Sequence, residues 1–178
     1  PRYSGKDNAR LYFKKYQKAK TSIRYLEEQI NKTEARIHYF EGLQVQVEQA
    51  SVEDAQEIQE ELVSQGIVHQ RRIKRRQTQQ KKKKPNYTTI VYDDETTIFV
   101  GKNNIQNDAI TFKLARKDDM WFHAAYDFGA HVLIKTPELD EQKIRLCAHL
   151  AAYFSKSRLG SSVEVHYTQA RNIKKIPG

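Results

Sequence analysis

The chain has 178 residues, 38% hydrophobic and 30% charged, which allows one modest globular domain plus an accessory element and excludes two full cores. Its 31 Lys and Arg against 22 Asp and Glu leave a formal net charge of +9, so acidic partners are expected, nucleic acid before anionic membrane surfaces. The single Cys147 excludes an internal disulfide framework and a multi-cysteine zinc site and points to a reducing, cytoplasmic compartment, and no run is long enough for membrane insertion.

Pro1, Arg2, Tyr3 and Ser4 lack the apolar core of a signal peptide. Ser4 with Asp7 reads as a capping box, and no proline follows until Pro85, so the first half is predicted to be helical. Tyr12, Tyr16, Ala19, Ile23, Leu26, Ile30, Thr33, Ile37 and Phe40 recur in alternating steps of four and three, the seam of a coiled coil. Ser51 with Asp54 opens a second helix in which Ala55, Ile58 and Leu62 continue the spacing. The chain is therefore expected to turn between Gly42 and Ser51 into an antiparallel hairpin over residues 1–70. A first helix over 6–42 would be a projecting arm about 55 Å long.

Residues 71–86 read as a basic linker or helix end. Arg71, Arg72, Lys74, Arg75, Arg76, Lys81, Lys82, Lys83 and Lys84 have no acidic residue among them. A solvated surface is one reading; a phosphate-tracking segment is the favoured one, because a polyanion relieves the repulsion among these cations. From 87 to 178 the pattern becomes that of a small mixed domain. Residues 88–92 and 96–100 form a hairpin around Asp93, Asp94 and Glu95, followed by a helix over 103–116, strands over 120–125 and 131–135, a helix over 138–156 and a strand over 162–168. The fold class is α+β: a long coiled-coil hairpin, then a domain with an antiparallel-rich sheet. The stop at Ile176, Pro177 and Gly178 after a basic stretch suggests that this domain lacks a last strand.

Three stretches could carry chemistry. Gly101-Lys102-Asn103-Asn104-Ile105-Gln106-Asn107-Asp108 joins a strand to a helix, where free N–H groups, a cation and amide side chains suit phosphates, base edges or ribose hydroxyls. The alternative is that Asn103 or Asn104 caps the helix while Asn107 and Asp108 satisfy a turn. It is not a Walker loop, lacking the second glycine and the lysine-serine/threonine pair. In Asp118-Asp119-Met120-Trp121-Phe122-His123, strand alternation puts Asp119, Trp121 and His123 on one face. Core packing is the favoured reading for Trp121, and a polar site for Asp119 and His123. His131 could complete a two-histidine, one-carboxylate set for a metal-dependent RNA hydrolase, but the spacing is not diagnostic and neither a metal nor a cofactor is expected. Cys147 falls on the apolar stripe Ile144, Cys147, Ala151, Phe154, where a thiol is inert.

These stretches resemble the C-terminal half of the NFACT family, which includes bacterial ribosome quality-control factors also called fibronectin-binding protein A-like proteins. Asn8 through Tyr16 resembles the start of the family's middle coiled coil, and Glu60-Glu61-Leu62 with Gly66-Ile67 its return helix. Val100-Gly101-Lys102-Asn103-Asn104 with Gln106-Asn107-Asp108, then Asp119-Met120-Trp121-Phe122-His123, then Gly129-Ala130-His131-Val132 resemble the NFACT-R domain. The resemblance implies an RNA-binding module that catalyses nothing by itself and engages large-subunit ribosomal RNA and tRNA at stalled peptidyl-tRNA complexes. It also implies a runner-up, binding of host fibronectin or fibrinogen after non-classical exposure at the cell surface. Carried over by motif, the candidate RNA site is Lys102, Asn103, Asn104, Asn107, Asp108, Asp119, Trp121, His123 and His131. The family's N-terminal domain and helix-hairpin-helix region lie outside these residues, so this chain alone is not expected to add tails to stalled peptides.

Affinity for RNA should depend steeply on salt. If about five cations of the basic run reach phosphates, the log-log salt slope on single strands should be near −3.5 and flatten when they are replaced by Gln. A titration in which those substitutions leave the slope unchanged would place the electrostatic contact elsewhere.

Overall fold

The computed structural model describes residues 4–69 and 84–175. In the described residues, helix α1 runs over Gly5–Glu48 and α2 over Val52–Ser64. Beyond them come strands β1 (Thr88–Val91) and β2 (Thr97–Gly101), helix α3 (Asn104–Ala109) continued by a π-helical segment (Ile110–Leu114), β3 (Met120–Ala124), β4 (His131–Lys135), α4 (Glu141–Tyr153) and β5 (Val165–Gln169). The class is α+β, as the sequence predicts. The basic residues Arg71, Arg72, Lys74, Arg75, Arg76, Lys81, Lys82 and Lys83 lie outside the described residues.

The chain divides into two compact units, residues 1–41 and 42–178. The first is a stretch of α1 on which the predicted seam stands exposed: Tyr12, Tyr16, Ile23, Leu26, Ile30, Ile37 and Phe40 each keep more than a third of their surface in solvent. Arg36 lies over the Phe40 ring at 5.7 Å, a modest cation–π contact.

In the second unit the helix continues through Gly42 to Glu48, six residues beyond the predicted end. Gly42 reads locally as a stop, but here its missing side chain gives room to Phe128: a Cβ at this position would lie 2.8 Å from Cδ1 of that ring. Ser51 then caps α2 in the capping box that the sequence predicts, its hydroxyl accepting from the Asp54 N–H while the Asp54 carboxylate accepts from the Ser51 N–H. Ile58, which the spacing assigns to the seam, is buried in this unit, as are Leu43 and Val45.

The sheet has the order β1-β2-β4-β3-β5, antiparallel throughout. Alternation gives it two unlike faces. One face carries Ile98, Val100, Phe122, Val132 and Ile134, all fully buried, and with Cys147 and Ala151 of α4 they form the core. The other carries Phe99, Trp121, His123, His131, Leu133, Lys135, His166 and Thr168. The α3 and π-helical segment packs over the β2–β4 side of that face and leaves the β3–β5 side half-open.

Phe122 is the largest fully buried side chain among the described residues. Phe122→Ala should therefore destabilise the second unit by about 3–5 kcal/mol, read as a lowered urea midpoint.

Candidate nucleic-acid interface

The stretch after β2 reads from the sequence as either a ligand loop or a helix cap, and the structure gives most of its polar atoms internal partners. Asn103 is buried and caps α3, its Oδ1 accepting from the Gln106 N–H at 2.9 Å, while its Nδ2 donates to Glu57 of α2 at 2.9 Å. Lys102 donates to the buried Asp54 carboxylate at 2.7 Å. Gln106, fully buried, donates from Nε2 to both Asp54 and Glu57 at 2.7 Å and accepts the Lys102 N–H at 3.0 Å. Asn104 donates to Glu61 at 3.0 Å and accepts from Gln46 at 2.8 Å. Three carboxylates of α2 thus meet one cation and three amides of the α3 turn. Burial pushes the Asp54 carboxyl up, yet the donors on Lys102, Gln106 and Ser51 together hold it below the ordinary carboxylate range.

Asn107 ties this turn to the sheet. Its Oδ1 accepts the His131 N–H at 3.1 Å and its Nδ2 faces the Gly129 carbonyl at 3.4 Å. Helix and strand meet closely here: a Cβ on Gly101 would lie 2.6 Å from Asn107 Oδ1, so this position must be glycine. Asp108 is ion-paired with Lys175 at the surface. Lys84 is exposed beside Glu53, Glu57 and Glu60 of α2, a flank whose sign repels phosphate.

The histidines and the tryptophan do come together. Trp121 and His123 stack at 5.6 Å with their planes 18° apart, and His131 stands edge-on to both, at 4.9 Å from Trp121 and 5.1 Å from His123. The π-helical segment positions Thr111, whose Oγ1 lies 2.8 Å from His131 Nδ1. Burial, together with the neighbouring His123, pushes the His131 imidazole down to about 3. Burial also lowers His123, against the opposing pull of the Gly129 carbonyl and the Asp127 carboxylate. Both rings are therefore neutral near pH 7. Trp121 is half-buried rather than a core residue, and its Nε1–H is buried without a partner.

Asp119, expected to join these rings, turns elsewhere: its carboxylate accepts from the Arg116 N–H at 2.7 Å and pairs with Lys135 at 3.4 Å. It does not complete a two-histidine, one-carboxylate set, and among the described residues no three His, Cys, Asp or Glu side chains converge as metal ligands. Burial pushes the Cys147 thiol up to about 12, too high for a nucleophile. What the cluster offers is a set of uncharged flat rings with hydrogen-bonding edges. Two further residues of this face escape the sequence reading. His166 lies opposite His123 in the β3–β5 register, and Tyr126 stands edge-on to it at 5.3 Å. Alternation along β5 places His166 on this face; nothing local marks Tyr126.

Known families match the chain in two parts that meet at residue 85. The NFACT N-terminal and middle domains match residues 1–85, and the NFACT protein RNA binding domain matches residues 85–178. The chain is 43% identical over all 178 residues to the Rqc2 homolog RqcH of Bacillus subtilis, covering 31% of that protein. It is 40% identical over 172 residues to the Rqc2 homolog RqcH of Streptococcus pneumoniae, covering 30% of it. It thus spans less than a third of these relatives' length. A solved structure, the C-terminal part of the fibronectin/fibrinogen-binding protein from Streptococcus suis, superposes with a TM-score of 0.81 at 40% identity, over 98% of this chain and 69% of the other.

The neutral histidines predict acid lability. A histidine whose folded pKa is depressed binds a proton more readily once unfolded, so its contribution to stability is full above the unfolded value of 6.5 and is lost as pH falls toward about 3. Asp54 adds a second loss only below its unfolded value of 3.8. The melting temperature should fall steadily from pH 6.5 to pH 4.5, and His123→Gln with His131→Gln should flatten that slope. A melting temperature constant across this window in the parent protein would contradict the assignment.

Proposed function

Because the chain belongs to the NFACT family, we propose that it is the RNA-binding part of a ribosome quality-control factor, one that engages large-subunit ribosomal RNA and tRNA at stalled peptidyl-tRNA complexes and has no catalytic step of its own. The observation that carries this reading is the half-open sheet face of the matched RNA-binding domain, where Trp121, His123 and His131 stand together. Uncharged rings do not attract polyanions as such; they accept unpaired bases by stacking, and their hydrogen-bonding edges add the directional contacts that favour one base over another. The basic run supplies attraction without sequence information, and the rings supply selectivity. The name of the Bacillus subtilis relative points to the same process.

In this reading the loop side chains divide. Asn103, Asn104, Gln106 and Asn107 shape the site through bonds to α2 and β4, and His123 and Trp121 touch RNA. His131 orients the pair from its bond to Thr111, and Lys102, Asp108 and Asp119 act on RNA only by exchanging their present partners.

A second reading, binding of fibronectin, is favoured by the name of the Streptococcus suis protein. The edge strands β1 and β5 are where an extended peptide could add to the sheet. Crosslinking the full-length parent in cells and sequencing the attached RNA separates the two readings: ribosomal RNA and tRNA support the first, and their absence, with retention on immobilised fibronectin, supports the second. His123→Ala should leave the fold intact and reduce the preference for large subunits or tRNA over generic RNA by roughly 1–3 kcal/mol.

A further inference from the structure

We propose, resting on the RNA-binding reading above, that Tyr126 and His166 form a second stacking subsite for an unpaired nucleobase, next to the Trp121–His123 pair. Tyr126 is the one non-glycine residue with positive φ, 55°, among the described residues. A tyrosine held in the left-handed region is a costly arrangement. Burial of the ring does not offset that cost, because Tyr126 is 93% exposed.

The turn that presents it is nevertheless built. Just before it, the Ala125 N–H donates to the Glu164 carbonyl at 2.8 Å. Just after it, the Asp127 carboxylate accepts the N–H groups of Phe128 and Ser157, each at 2.8 Å, and the Lys156 N–H donates to the Phe128 carbonyl at 2.9 Å. The backbone is pinned on both sides of Tyr126, and the ring is left in solvent.

Among the described residues its ring meets that of His166 edge to face, at 79°. His166 lies opposite His123 in the β3–β5 register, so the cross-strand row His131, His123 continues to His166 and Tyr126, with Trp121 beside His123 on β3. Adjacent strands lie about 4.8 Å apart, close enough for successive bases of one single strand to reach both pairs. The Glu164 carboxylate lies 3.3 Å from His166 Nε2. The carboxylates of Asp127 and Glu164 border the pair, and an exposed π-face takes any unpaired base.

The test uses the whole chain and two probes, a short unstructured RNA labelled for fluorescence anisotropy and an abasic ribose-phosphate oligomer of the same length. Tyr126→Ala should weaken the base-bearing RNA about 5- to 100-fold and leave the abasic oligomer unchanged, while Tyr126→Phe and Tyr126→Trp keep the affinity. Tyr126→Gly, which relieves the positive φ, should melt no lower than the parent yet lose the same affinity, separating stacking from folding. Equal binding of RNA by the parent and the Ala and Gly variants overturns the subsite and leaves the RNA reading standing. So does an equal loss on both probes. A parent that binds neither RNA nor isolated ribosomal subunits overturns both.

Discussion

A carboxylate cannot be buried unless something nearby answers its charge, and in the second unit that carboxylate is Asp54. Its side chain is almost fully out of water, and leaving it unpaired there would cost several kcal/mol. Lys102 and Gln106 reach it from the turn after β2, and Ser51 reaches it from its own helix. The position of α2 is thus set by where those donors are, and the donors are held in turn by Asn103 at the helix start. The chain of dependence then runs outward. The same turn delivers Asn107 to the β4 backbone, and the adjoining π-helical segment brings Thr111 to His131. The ring cluster is in this sense the far end of a polar network that begins at a buried ion pair.

That network explains why the site is only half legible in the sequence. Period-two alternation locates all five strands, and the Ser51–Asp54 spacing locates the start of α2, because those signals are local. The amides after β2 carry an ambiguity that no local pattern resolves: Asn and Gln serve a ligand or a buried carboxylate equally well. What decides it is Asp54 and Glu57, 46 to 52 residues earlier in the chain. Gly42 misleads for a related reason. Glycine stops a helix or admits a close neighbour, and the neighbour here is Phe128, far away in sequence. Asp119 precedes β3 where alternation puts it, but Lys135, on the adjacent strand, claims its charge.

The division of the sheet into a sealed face and a half-open one comes from the helices available to cover it. Helix α4 seals the face built on Phe122 and Val132, and the short α3 with its π continuation packs on the β2–β4 side of the other. Side chains left on the β3–β5 side must tolerate water on one surface and protein on the other. Tryptophan, histidine and tyrosine do this, with an apolar body and a polar rim. The neutrality of His123 and His131 has the same origin in half-burial, since charging either would require hydrating a ring that the other already crowds.

The π-helical segment has a consequence for comparing sequences across the family. A π turn holds one residue more than an α turn, and each extra residue rotates the rest of the helix by about 100° around the axis. Deleting a single residue between Ile110 and Leu114 would convert the turn to ordinary helix and rotate the two sides of the segment relative to each other, so that Thr111 beside His131 and the chain leading into β3 could not both keep their present places. A one-residue gap in an alignment at this point would therefore record a change of helical type, where a gap in a loop would record only a change of length.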